Sequence, residues 1–385
     1  MRVCLLSTYP PIECGIATYT QYLNEALHAH GNETFVISQH GAQGRAVFPV
    51  FDHGSGSFAE NVFNTSTRMT PDLVHVQHEY GLYGPQKGVA IIELILRYRM
   101  AGLPVVVTLH TVTPPLKNEE RMILKHIIDE SSAVIVHEDY QKELLLEHFG
   151  DMIHAQRKIH VIEHGIREIE PIRGGKEKLD LVGKKVILLC GYFRPTKGFH
   201  KIVKIFPEIC AEEEDAVLVV AGKTRHIEFD DYRRELFIML NQSPVADKIR
   251  IFRGQFPQYT FDTIISAADV VVLPYELGGQ SGIMCQCFAQ QVPVVTSDLK
   301  AFKLLVDRSG GGLVAQSDVD YKELVIKLLR DDALQQKLRA NIRNYVKECA
   351  GWSKIAALHT SVYHSVVDVP YGKARYVYFP EPEGY

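Results

Sequence analysis

Short continuous runs of Val, Ile and Leu recur along this chain of 385 residues, each followed by a turn signal and then by a longer stretch with helical spacing. Such runs read as strands buried on both faces, and their alternation with helices reads as βα units of a parallel sheet. The pattern predicts strands over residues 2–7, 33–38, 72–77, 104–109, 133–137 and 158–162. It returns over 185–190, 216–221, 248–252, 269–273, 292–296 and 312–315. Two similar doubly wound α/β domains are therefore expected, which suits a prior of about 150 residues per domain.

The seam is expected within Glu168 to Gly183, where Pro171, Gly174 and Gly175 sit among charges and apolar periodicity lapses. That places an N-terminal domain over residues 1–170 and a C-terminal domain over 171–352. From Asp318 to about Val367 the pattern is amphipathic helix without further strands. A Tyr-rich tail, Tyr371 to Tyr385, follows, in which Pro380 and Pro382 forbid a regular helix. In open sheets of this kind ligands bind beyond the carboxyl ends of the strands, so function is expected in the loops there, in a central cleft between facing domains.

Composition excludes several classes. The 42 basic and 46 acidic residues are well mixed and give a formal charge of -4, so no basic field exists to hold a nucleic acid. The seven cysteines are odd in number, form no C-x-x-C pair and mostly lie in apolar stretches, a pattern of reducing compartments. The opening segment has one charge and too short an apolar run before Pro10 for a signal peptide, and no run approaches the roughly 18 apolar residues of a membrane span. A cytoplasmic protein is expected, with peripheral membrane contact left open and no indication of oligomeric state.

Several of the loops can carry chemistry. After the first strand, Cys14-Gly15 opens a helix, where Gly15 is either a plain turn residue or lets a phosphate approach the helix N-terminus. After the third strand stand His75, His78, Glu79 and Tyr80, and after the fourth His110. A histidine at the carboxyl end of such a strand can donate to a hydroxyl, phosphate or carbonyl, while His75, inward within its strand, reads as structural. No matching carboxylate and histidine spacing follows, so no metal site is expected. In the second half Gly191-Tyr192-Phe193-Arg194-Pro195-Thr196-Lys197-Gly198 puts two cations before a helix, a suitable diphosphate clamp. Glu276-Leu277-Gly278-Gly279-Gln280-Ser281-Gly282 supplies a nest of N–H donors at another helix start.

Together these loops resemble glycosyltransferase family 4, of GT-B architecture. The likeness rests on Pro10-Pro11 with Gly15, on Thr108-Leu109-His110, and on Val161-Ile162-Glu163-His164-Gly165-Ile166, similar to that family's VIPNGV segment. It continues through Gly191 to Gly198, Val219 to Gly222 and Ala289 to Val295. Trp352, Ile355-Ala356 and Tyr363 resemble the closing helix, which in the family crosses back onto the N-terminal domain and so would take 353–385 there.

The resemblance implies metal-independent transfer of a hexose, with retention, from a nucleotide sugar to a carbohydrate or lipid-linked acceptor hydroxyl. GDP-mannose and UDP-glucose are favoured on family frequency, and no further cofactor is implied. Arg194 and Lys197 would clamp the diphosphate and His110 would contact donor sugar and phosphate. Gly15, Gly222, Lys223, Gly254, Glu276, Gln280, Ser281, Gly282 and Gln286 would serve the donor, and Cys14, His78, Glu79 and Tyr80 the acceptor. The family's paired glutamates, E-x7-E, fall on Gly278 and Gln286, so both acids are absent. Glu276 or Gln280 would then reach the sugar and Gln286 a ribose hydroxyl. A GT-B-shaped epimerase, a sugar phosphorylase and a catalytically silent nucleotide-binding protein are the rival expectations.

Overall fold

The computed structural model describes residues 1–151, 155–223, 229–278 and 282–367. Its contacts divide the chain into two compact units, Met1–Glu163 joined by the chain from Ile355 onward, and His164–Lys354. The division falls upstream of the expected seam at 170/171. Its cause is that the segment after Glu163 is bonded into the second unit. The Ile166 N–H donates to the Ala350 carbonyl at 2.8 Å, Ile166 pairs with Gly351 as a parallel bridge, and the Ile172 N–H donates to Gln290 Oε1 at 2.9 Å. A Cβ on Gly165 would overlap the Trp352 indole, so glycine lets this segment press against that ring.

In the first unit seven parallel strands lie in the order β3-β2-β1-β4-β5-β6-β7. They are β1 (Arg2–Leu6), β2 (Glu33–Gln39), β3 (Val47–Phe51), β4 (Leu73–His78), β5 (Val105–Leu109), β6 (Ala133–Val136) and β7 (Ile159–Val161). Sequence spacing missed β3. This edge strand carries Pro49, whose missing N–H is tolerated only where one side has no strand partner.

Period-two alternation gives the sheet two different faces. Cys4, Leu6, Ile37, Val74, Val76, Val107 and Val134 face one way and pack with Ile91, Leu94, Ile123 and Ile127 of two flanking helices. His75 and Gln77 of β4 share the opposite parity, and β4 and β5 pair so that Gln77 lies opposite Thr108. A buried polar row is thereby built into one face of the sheet.

In the second unit six parallel strands run β10-β9-β8-β11-β12-β13. They are β8 (Lys185–Tyr192), β9 (Ala216–Lys223), β10 (Ile249–Arg253), β11 (Val270–Leu273), β12 (Val294–Ser297) and β13 (Gly312–Ala315). The helix Phe199–Glu212 buries Phe199, Ile202, Val203, Phe206 and Ile209, the i, i+3, i+4, i+7 stripe that fits a sheet face. Burying each such side chain stabilises the unit by about 1.5–3 kcal/mol. Helices Asp318–Arg330, Asp332–Tyr345 and Trp352–Val366 end the described chain, and the tail from Tyr371 lies outside the described residues.

Candidate functional site

Strand order in the second unit reverses between β8 and β11, and the loops leaving such neighbours are the usual ligand position. The loop after β8 runs through Arg194 into a single 3-10 turn, Pro195–Lys197, and then Gly198 in the left-handed region at φ +64°. A Cβ on Gly198 would overlap the carbonyl oxygen of Pro274, so this loop is pressed onto the loop after β11. The Glu276 N–H donates to the Thr196 carbonyl at 2.9 Å and joins the two.

The predicted clamp residues sit on this joined pair. Lys197 Nζ lies 3.5 Å from the centre of the Tyr275 ring, and the Arg194 guanidinium carbon lies 5.5 Å from Tyr192 and 5.2 Å from Phe229. Lys223 Nζ lies 5.8 Å from the same Tyr192 ring. Ring faces attract these cations without neutralising them. Among the described residues neither Arg194 nor Lys197 pairs with a carboxylate. Burial, with the nearby Arg194 charge, lowers the Lys197 pKa to about 8.

The glycines divide by cause. A Cβ on Gly222 would overlap the Gly191 carbonyl, so that glycine serves the close approach of β8 and β9, and Gly254 (φ +134°) donates its N–H to the Gly222 carbonyl at 3.0 Å. Around Gly15 and Gly282, each the first residue of its helix, nothing among the described residues lies within 4 Å of an added Cβ. Packing therefore does not demand glycine there. Gln280 and Ser281 lie outside the described residues.

Of the side chains expected to stand in for the absent acids, Glu276, Gln280 and Gln286, the two that are described are both engaged. Glu276 pairs with Lys201 at 3.3 Å and lies 3.9 Å from His200. Gln286 Oε1 accepts from Arg167 Nη2 at 2.5 Å and from Gln258 Nε2 at 3.2 Å. Arg167 also donates to both carboxylate oxygens of Asp262, at 2.8 and 2.5 Å, and Gln258 donates to Asp262 at 2.9 Å. The sequence reading missed Arg167, Asp262 and Gln258. The one signal was an acidic residue on the buried side of the helix Gln258–Ser266.

In the first unit, His110, Glu79 and Tyr80 follow adjacent strands, with the His110 N–H bonded to the His78 carbonyl at 3.1 Å. Glu79 accepts from the Thr111 hydroxyl at 2.5 Å and from the Tyr80 N–H at 3.0 Å. Burial lowers the His78 pKa to about 4, which keeps its ring neutral, and its ring meets Tyr80 edge-on at 5.2 Å. Cys14 precedes the helix Gly15–Ala29 and accepts at its carbonyl from the Thr18 N–H. His75 bonds Tyr363 at 2.7 Å and Thr108 at 2.8 Å, the structural role expected of it. His110 is bonded through both ring nitrogens, to Gln77 at 2.9 Å and to His137 at 3.4 Å.

Among the described residues no group of three or more His, Cys, Asp or Glu side chains is arranged to hold a metal ion. Among them no helix is long and apolar enough to cross a membrane.

Comparison with known proteins matches both units. Residues 14–168 match the family described as Glycosyltransferase Family 4, and residues 184–331 match Glycosyl transferases group 1. A phosphatidyl-myo-inositol mannosyltransferase of Mycolicibacterium smegmatis is 29% identical over 188 residues, 48% of this chain and 46% of that protein. A glycosyltransferase of Methanocaldococcus jannaschii, MJ1069, itself uncharacterized, is 24% identical over 65% of this chain and 62% of its own length. The matches thus span about half to three fifths of these curated relatives. Among solved structures, Anabaena Alr3699/HepE in complex with UDP and glucose superposes with a TM-score of 0.73 at 14% identity, covering 95% of this chain and all of that one. These neighbours share the two-unit α/β GT-B fold. With its two units matched in turn and together covering more than half of its length, the chain belongs to the family 4, group 1 glycosyltransferases.

Proposed function

We propose that the protein transfers a hexose, mannose or glucose, from a nucleotide-sugar donor to a carbohydrate or lipid-linked acceptor hydroxyl, with retention and without a metal. The observation that carries this reading is the loop pair of the second unit. Two partly buried cations, Arg194 and Lys197, stand together at the strand-order reversal, each against an aromatic ring and, among the described residues, without a carboxylate partner. A diphosphate is the anion that such a pair fits, and the burial that lowers the Lys197 pKa strengthens its attraction for one.

In the proposed reaction the C1–O bond to the diphosphate breaks while the acceptor oxygen bonds to C1 on the same face. The acceptor proton passes to the leaving phosphate oxygen. Arg194 and Lys197 stabilise the charge that grows on that phosphate, and positioning supplies the rest. Mannose is supported by the mannosyltransferase relative and glucose by the UDP-and-glucose complex among the structural neighbours. Seven cysteines, none of them in a disulfide, accord with a reducing compartment such as the cytoplasm.

The test is a thermal-unfolding panel of nucleoside diphosphates and nucleotide sugars, followed by NMR of the product's anomeric configuration. One donor nucleotide is expected to raise the unfolding temperature by mass action, and transfer from its sugar to give a retained linkage. No stabilisation by any member of the panel would refute the reading.

A further inference from the structure

We infer that His137 is a positioning residue that fixes the ring proton of His110 on Nδ1. His137 lies just beyond β6, fully buried, and its Nδ1 is 2.9 Å from the carbonyl oxygen of Ile162. A carbonyl oxygen can only accept, so the proton of His137 is on Nδ1. Its Nε2 is then a lone pair, and this lone pair points at His110 Nδ1 from 3.4 Å. A lone pair facing a ring nitrogen requires a proton on that nitrogen, so the tautomer of His137 dictates that of His110.

The opposite side of His110 is left adaptable. Gln77 Oε1 lies 2.9 Å from His110 Nε2, and Gln77 Nε2 lies 3.2 Å from His75 Nε2. In the orientation seen, the amide oxygen accepts from a protonated Nε2; after a half-turn the NH2 donates to a bare one, and the oxygen accepts from His75 Nε2, whose proton moves there from Nδ1 while the Tyr363 hydroxyl donates to Nδ1. Either form of His110 therefore keeps a partner at Nε2, whereas Nδ1 carries a proton in both. The Tyr19 ring packs against both, its centre 4.8 Å from that of His110 and 5.4 Å from that of His137. An isolated imidazole exchanges its proton between the two nitrogens; here Ile162, through His137, removes that freedom and leaves Nε2 as the variable atom.

The experiment is long-range proton–nitrogen NMR of the full chain labelled with 15N-histidine, at a pH where the rings are neutral. Both His110 and His137 are expected to carry their proton on Nδ1, and a neutral His110 protonated on Nε2 would overturn the proposal. In His137→Phe the acceptor is lost and His110 is expected to shift towards the Nε2–H form. In His137→Gln, which restores an acceptor and a donor, it is expected to return. An unchanged His110 tautomer in a folded His137→Phe protein would also overturn it, and if that variant does not fold the wild-type spectrum decides. Resting on the proposed transfer reaction, His137→Phe should lower kcat about tenfold with donor KM within about twofold, and His137→Gln should recover most of the loss. A wild-type protein with the expected tautomers and no transferase activity would remove that functional reading while leaving the tautomer assignment in place.

Discussion

Replacing Lys197 with Ala removes a cation that rests on the Tyr275 ring and, among the described residues, has no carboxylate partner, so the fold itself loses little Coulomb energy. What is lost is one charge-assisted contact to the donor diphosphate, worth about 1.5–3 kcal/mol, or about ten- to 150-fold in kcat/KM. The folded pKa of about 8 adds a second signature. About nine tenths of Lys197 is protonated at pH 7 and about one tenth at pH 9, so kcat/KM should fall on an alkaline limb centred near pH 8. Bound diphosphate favours the ammonium form, which moves the corresponding limb of kcat upward. The stability sign is opposite. A free lysine holds its proton to about 10.4, so between pH 8 and that value the unfolded chain binds more protons, and Lys197 favours folding more as pH rises. A steady-state pH series on wild type, Lys197→Ala and Lys197→Arg separates these effects, because arginine stays charged throughout and should flatten the limb. Unchanged turnover in Lys197→Ala, or an alkaline limb near pH 8 that persists in Lys197→Arg, would refute the clamp.

Gly198→Ala should destabilise the second unit by more than about 2 kcal/mol in chemical denaturation, since a Cβ there meets the Pro274 carbonyl and φ is +64°. Asp262→Asn should cost about 3 kcal/mol by leaving the Arg167 charge without its carboxylate, and Asp262→Asn with Gln286→Glu should recover over half by returning a carboxylate to the same guanidinium. If the double variant is no more stable than the single one in urea titration, Arg167 does not bridge the two positions. Burial lowers the pKa of His78 and of His359 to about 4 from a free value near 6.5. The unfolded chain therefore binds more protons between those limits, and each ring should withdraw up to about 3 kcal/mol of stability as pH falls from 6.5 to 4. His359→Leu should flatten the acid side of a thermal-unfolding pH series.

Strands and loops were legible because a strand buried on both faces needs a continuous apolar run, and such runs are local. β8 and β11 were placed from Val186-Ile187-Leu188-Leu189 and Val270-Val271-Val272-Leu273 alone, and with β8 went the place of the loop after it, which holds Arg194 and Lys197. β3 was not legible, since an edge strand with Pro49 is half exposed and its run is broken. The side-chain partners were legible nowhere. Arg167 meets Asp262 and Gln286 across 95 and 119 residues, and His110 meets His137 across 27. Local sequence determines which backbone form each segment takes, because that depends on neighbours and on apolar spacing. Which polar groups then satisfy one another, and so which proton and which charge each one holds, was decided only when packing brought distant elements within hydrogen-bond reach.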